Sequence, residues 1–198
     1  MGQLRMVYVA DEKRPLPELE IAPGFALRVF GKDELAEYSA LRVSAGFDAW
    51  DEKQYDEFAP CLLPGGHLVI TEIATGRFAA SASAELPVPE EFHGFGLLGW
   101  VMCHPDFRGK RLGYAVCLAV MRILYSYGYR SFILSTDDFR IPAVKTYLNL
   151  GWQPWLTKPG MEELWHGLAD AYKCSYESFR PLPGTFAPPK KAVLHPFD

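Results

Sequence analysis

Arg108-Gly109-Lys110-Arg111-Leu112-Gly113 combines three cations with two glycines in six residues. Glycines let an anion approach the backbone closely, and the cations add charge around it. An apolar run from Leu97 to Cys103 precedes this stretch and reads as a buried strand. His104-Pro105-Asp106 breaks that run, because proline cannot donate to a ladder. Apolar residues then recur at Leu112, Ala115, Val116, Ala119, Val120, Ile123, Leu124 and Tyr127, at helical spacing. A strand therefore feeds a turn that opens a helix, whose first amides are unpaired and whose dipole is positive at that end. The chemistry on offer is phosphate binding. A tight turn with a solvated basic face is the plainer reading, and the turn alone leaves both open.

The rest of the chain must position this turn. Met6 to Ala10 has the character of a short strand, and Pro15, Pro17 and Pro23-Gly24 keep the chain turning, so residues 1–24 read as an N-terminal extension. Ala26–Phe30 is expected as the first strand of the main domain. Asp33 is the expected N-cap of a helix reaching about Val43, with Leu35, Tyr38, Leu41 and Arg42 as its stripe. Asp48 or Asp51 caps a second helix through Phe58. Pro64-Gly65-Gly66 opens a hairpin whose strands are 67–74 and 77–86. The alternating serines and alanines of the second strand suit close approach on one face. Ser131–Thr136 reads as a strand and Ile141–Leu150 as a helix with Pro142 in its first turn. Trp152–Leu156 reads as an edge or bulged strand because of Pro154, and Met161–Tyr172 as an amphipathic helix. The order implies an α+β fold, antiparallel in its first half, with a parallel crossover around the 97–103 strand. The main domain spans 25–157, a C-terminal helix 158–175, and an extended proline-rich tail 176–198.

Composition narrows the function classes. A chain of 198 residues with 49% hydrophobic and 22% charged residues has an ordinary globular balance. A net charge of −4 argues against nucleic acid as a partner. Cys61, Cys103, Cys117 and Cys174 lack metal-ligand spacing and read as reduced, so no metal is expected. No apolar run approaches the ~20 residues of a membrane span, and the N-terminus lacks a signal-peptide core, which points to a cytoplasmic protein with no membrane partner. Five acids between Asp48 and Glu57 read as helix-start and surface charge, or as a negative rim for a cationic substrate.

The pattern V-M-C-H-P-D-F-R-G-K-R-L-G-Y-A (101–115) resembles motif A of the GNAT N-acetyltransferase superfamily. About thirty residues on, I-P-A-V-K-T-Y-L-N-L-G-W (141–152) resembles its motif B. The resemblance implies a mixed central sheet, flanked by helices, with a splayed parallel pair at its middle. It implies acetyl-CoA or another acyl-CoA as cofactor, with Val101, Met102 and Cys103 along the pantetheine arm and the amides of Arg108, Gly109, Lys110, Arg111, Leu112, Gly113 and Tyr114 around the pyrophosphate. Arg111 stands where the family has a glycine, and Arg140 where it often has asparagine. Arg140 is either a helix-start surface residue or a contact to the pantetheine or 3′-phosphate.

Acyl transfer to an amine needs a polarised carbonyl, a protonated leaving thiolate and a neutral amine. The backbone N–H near Cys103 is the expected carbonyl donor. Tyr147 holds the position of the family's general-acid tyrosine, against a plain packing role. An amine of pKa ~10.4 is neutral about once in 2,500 molecules at pH 7, so a general base matters. Glu85 near a strand end is the candidate, with Glu72 and His104 as alternatives, each also readable as a surface or structural residue. The resemblance implies direct transfer, leaving Cys103 a packed strand residue. Trp50, Tyr55, Phe92 and Phe95 are expected around the acceptor, a small-molecule or peptide amine. The competing classes are a non-catalytic acyl-CoA-binding module and an unrelated nucleotide binder. A homodimer is compatible with the sequence.

Overall fold

The computed structural model describes residues 2–87 and 89–191. Among these, eight strands form one sheet: β1 (Gln3–Val9), β2 (Phe25–Val29), β3 (Leu62–Glu72), β4 (Phe78–Glu85), β5 (Gly96–Cys103), β6 (Ser131–Asp137), β7 (Gln153–Leu156) and β8 (Leu182–Pro183). Their order is β2-β3-β4-β5-β6-β1-β7-β8. From β2 to β5 every pairing is antiparallel, and β5 to β6 is parallel. The α+β architecture read from the sequence is the one observed.

The helices are α1 (Leu35–Ser44), α2 (Glu52–Phe58), α3 (Leu112–Ser126), α4 (Ile141–Asn149) and α5 (Met161–Tyr172). Leu35, Tyr38, Leu41 and Arg42 are the buried residues of α1, the stripe the 3.6-residue period predicts. Asp33 does not cap it. Residues Lys32–Glu34 form a preceding 3-10 turn that starts from Gly31. Asp51 does cap α2, its carboxylate accepting from the Gln54 amide at 2.9 Å.

Helices cover both faces of the sheet. Ala80, Ala82 and Ala84 of β4 face the main core with Val116, Leu118 and Val120 of α3, Val144 and Tyr147 of α4, and Trp165 of α5. On the opposite face Val69 and Met102 pack with Tyr38, Leu41 and Tyr55 of α1 and α2. All eight residues of β4 are buried as a result.

Three segments depart from the sequence reading. Pro64-Gly65-Gly66 lies inside β3, where the register against β4 slips between Leu62 and His67. A Cβ on Gly66 would lie 2.7 Å from the Ala84 carbonyl oxygen, so the bulge needs glycine there. The stretch read as an N-terminal extension supplies β1, an interior strand paired antiparallel with both β6 and β7. The chain then returns over α3, where Arg122 donates to the Pro17 carbonyl at 2.5 Å. The tail is extended but docked on its own chain. Leu182 and Pro183 pair with β7, and the Lys191 amide donates to the Gly94 carbonyl at 2.9 Å. Residues 192–198 lie outside the described residues.

Candidate active site

β5 and β6 are hydrogen-bond partners only at Gly96↔Phe132 and Leu97↔Ile133. Beyond Leu97 they diverge, so β5 from Leu98 to Cys103 has β4 on one side and an open edge on the other. A bulge between the Ser81↔Met102 and Ser83↔Gly99 pairs helps turn β5 away, and Trp100 within it takes φ +44°. The splay creates a slot through the sheet. Val101 and Cys103 are half-buried along its edge, and Met102 is buried against the α1 side.

The basic turn closes the end of this slot. Arg108, Gly109, Lys110 and Arg111 are exposed, and Leu112 anchors α3 in the core. Among the described residues, no backbone or side-chain oxygen accepts from the amides of Gly109, Lys110, Arg111, Leu112 or Tyr114. A Cβ built on Gly113 or Gly109 meets nothing within 4 Å. Open space therefore faces unpaired donors at the positive end of a fifteen-residue helix, which fits a diphosphate. Arg111, standing where glycine is expected, adopts φ +58°, ψ +18° all the same. Left-handed backbone at a residue with a Cβ costs roughly 1–2 kcal/mol. Its guanidinium folds outward over the Tyr114 ring, 4.6 Å from the centroid, leaving the turn clear.

Tyr147 is 4% exposed on α4, on the α3 side of the sheet. Burial pushes its hydroxyl pKa well above the ordinary value, with Cys117 adding to the effect and Arg140 opposing it. The hydroxyl is therefore protonated at neutral pH. Arg140 precedes α4, paired with Asp137 at 3.1 Å and lying 4.2 Å from the Phe47 ring centroid.

Glu85 ends β4 on the other face. It is 7% exposed and accepts a short hydrogen bond from Ser83. Its carboxylate covers Gly99, where any Cβ would overlap it. Burial raises its pKa to about 7, against the opposing hydrogen bond from Ser83. Glu72 instead accepts from Thr75 in the β3–β4 turn, and His104 Nδ1 accepts from the Asp106 amide. Both serve local turns.

Sequence reasoning missed the cluster beside Glu85. His67 stacks on Tyr55 and meets Tyr38 edge-on and Phe30 at a tilt there, and it is pushed down to about 3 by burial and by Arg42. Tyr38 and Arg42 lie on the stripe read for α1, and Trp50 and Tyr55 are among the expected aromatics, but no local pattern joins them to His67. Trp50 and Tyr55 belong to this cluster. Phe92 and Phe95 do not: they pack on Trp155, Val7 and Ile133, near the β5–β6 junction where the slot begins. Of the four aromatics expected around the acceptor, Trp50 and Tyr55 thus share one cluster with Trp100, and Phe92 and Phe95 lie in another.

Among the described residues, no group of three or more His, Cys, Asp or Glu side chains could hold a metal. Likewise, no helix is long and apolar enough to cross a membrane. The four cysteines are free thiols.

The fold is similar to that of several solved structures. A GCN5-related N-acetyltransferase from Sphaerobacter thermophilus superposes with TM-score 0.61 at 20% identity, over 77% of this chain and 48% of that one. A GNAT-family acetyltransferase from Colwellia psychrerythraea gives 0.59 at 16%, over 77% and 53%. The ribosomal-protein-S18-alanine N-acetyltransferase of Escherichia coli gives 0.53 at 19%, over 64% and 76%. This chain thus spans about half the length of the Sphaerobacter and Colwellia proteins. No curated protein sequence matches it. The family model for the acetyltransferase (GNAT) family matches residues 35–152, from the first residue of α1 to the Trp152 that follows α4. That span holds the splayed strands, the open turn and both candidate proton carriers, and it makes this chain a member of the GNAT acetyltransferase family.

Proposed function

We propose that the protein is an N-acyltransferase that moves an acetyl or other acyl group from acyl-CoA directly to the primary amine of a small molecule or peptide. The observation that carries this reading is the divergence of β5 from β6 beyond Leu97, ending at a turn of unpaired amides. Acyl-CoA, when bound, supplies an activated thioester. The amides of Gly109 to Leu112 and of Tyr114 would hold its pyrophosphate, that of Arg108 being taken by the Pro105 carbonyl at 3.3 Å and that of Gly113 facing Cys103, and the open edge at Val101, Met102 and Cys103 its pantetheine arm. An amide near Cys103 would donate to the acyl oxygen. Arg140 is already engaged with Asp137 and Phe47, which favours a role in shaping the slot's mouth.

The two proton carriers lie on opposite faces of the sheet with the slot between them. Glu85, with a carboxyl pKa near 7, takes the proton that the acceptor ammonium must lose. Tyr147 gives up its hydroxyl proton to the departing sulfur and is restored from solvent. The second proton, shed by the nitrogen as the amide forms, returns through solvent to the Tyr147 phenolate, and the proton held by Glu85 is the one released overall.

The depth at which Tyr147 is buried favours a second reading, a non-catalytic acyl-CoA-binding module. Calorimetric titration with CoA and thiol release with an amine panel separate the two. Catalysis predicts CoA binding in both wild type and Tyr147→Phe, with turnover at least 100-fold lower in the variant. Equal turnover in the two proteins removes Tyr147 from the chemistry. Binding without any turnover in wild type supports the module.

A further inference from the structure

Arg42 is 2% exposed, yet no carboxylate pairs with it among the described residues. Its Nε donates to the Asp48 carbonyl at 2.9 Å, while its Nη1 is buried with no acceptor. The guanidinium is held between two indoles, 3.7 Å from the Trp50 centroid and 4.3 Å from that of Trp100. Ring faces compensate part of a buried charge, and a buried cation without a counter-ion remains costly. The hydroxyl of Tyr38, fully buried, turns its oxygen toward the Arg42 guanidinium, and its own proton has no acceptor. Two unsatisfied donors, one of them charged, thus converge on one spot in the core. His67 beside them stays neutral and supplies no negative charge.

This spot adjoins the proposed chemistry. Tyr38 feels the charge of Glu85, and Trp100 belongs to the bulge of β5 at the slot. Trp50 and Trp100, both half-buried, pack directly on the guanidinium.

We infer that the acceptor amine carries a carboxylate, as an amino acid does, and that Arg42 Nη1 and Tyr38 Oη bind it while Glu85 faces the amine. The inference rests on the acyltransferase reading above and names its substrate class. A carboxylate matches the planar fork of the guanidinium and satisfies both idle donors. An acceptor without one leaves them idle, so the site discriminates by the missing partner as well as by contact.

The test compares the twenty amino acids with the amines left by their decarboxylation, at saturating acetyl-CoA, by thiol release. At least one amino acid should exceed its amine in kcat/KM by 10-fold or more. Arg42→Gln and Tyr38→Phe should each reduce that preference to under threefold, mainly through a higher KM for the amino acid. Tyr38→Phe removes only a hydroxyl and decides the matter should Arg42→Gln fail to fold. Wild type favouring the amines, or both variants keeping the full preference, overturns the inference. If no member of any pair turns over, calorimetry of the amino acids on CoA-loaded protein decides. Binding lost in Tyr38→Phe supports the site, and no binding overturns it. Failure of CoA itself to bind would instead strike the acyltransferase reading.

Discussion

Glu85 has a carboxyl pKa of about 7 because it is buried between sheet and helices. The folded protein therefore holds this proton more tightly than the unfolded chain. Folding takes up a proton between the ordinary carboxylate range and about 7, so this group's stabilisation is full at low pH and fades as pH rises through that window. A shift of this size corresponds to on the order of 3 kcal/mol. His67, pushed down to about 3, runs the other way, losing stability as pH falls below the usual imidazole range. The clean readout is a difference. The stability of wild type minus that of Glu85→Gln should drop by about 2.5 kcal/mol from pH 5 to pH 8 in denaturant titrations. An unchanged difference would mean that the carboxyl titrates normally. Turnover has the opposite sign, since the ionised form is the base. kcat/KM should rise about tenfold per pH unit below about 7 and level off above it.

At the scale of elements, the turn and α3 were the most legible part of the chain. A strand of apolar residues, a proline break, glycines and a helical period are all local signals, and they mark the same junction that the coordinates show. What local pattern does not carry is the conformation of Arg111. Its left-handed backbone falls at a residue type that normally avoids this region, so the side chain gives no local sign of it. Gly113 tests the element directly. It has ordinary helical backbone, and a side chain there meets open space. Gly113→Val should leave the melting temperature within a few degrees of wild type and weaken CoA at least 10-fold by calorimetry. A variant that binds CoA normally would place the diphosphate elsewhere. The aromatic cluster of α1, α2 and Trp100 was less legible, because its members meet only through pairings far apart in sequence. The same is true of the split between Trp50 and Phe92, assigned to one wall by composition and separated by topology.

For the whole molecule, the consequential departure is β1. Met6–Ala10 reads as a short strand where the structure has Gln3–Val9, but its neighbours are β6 and β7, more than a hundred residues away, and no local period encodes that choice. Leu4, Met6 and Val7 are almost fully buried there. Burying three such side chains is worth about 5 kcal/mol or more, comparable with the net stability of a domain. Removal of residues 1–9 should therefore abolish cooperative unfolding, seen as a lost thermal transition. Retention of a sharp transition would show that β6 and β7 can close on each other.

β1 precedes every other strand of this sheet in the chain, yet it is among the last to find its place. Gln3 to Val9 must wait until Ser131–Asp137 has left the ribosome, because only then does it gain a hydrogen-bonding neighbour. Closing so long a loop makes this pairing a late event, after the β2–β5 meander has had the chance to assemble from near neighbours. A nascent chain that stalls before Asp137 would hold a preformed half-sheet and a dangling apolar strand, the combination most open to capture by a chaperone or by another unfinished copy.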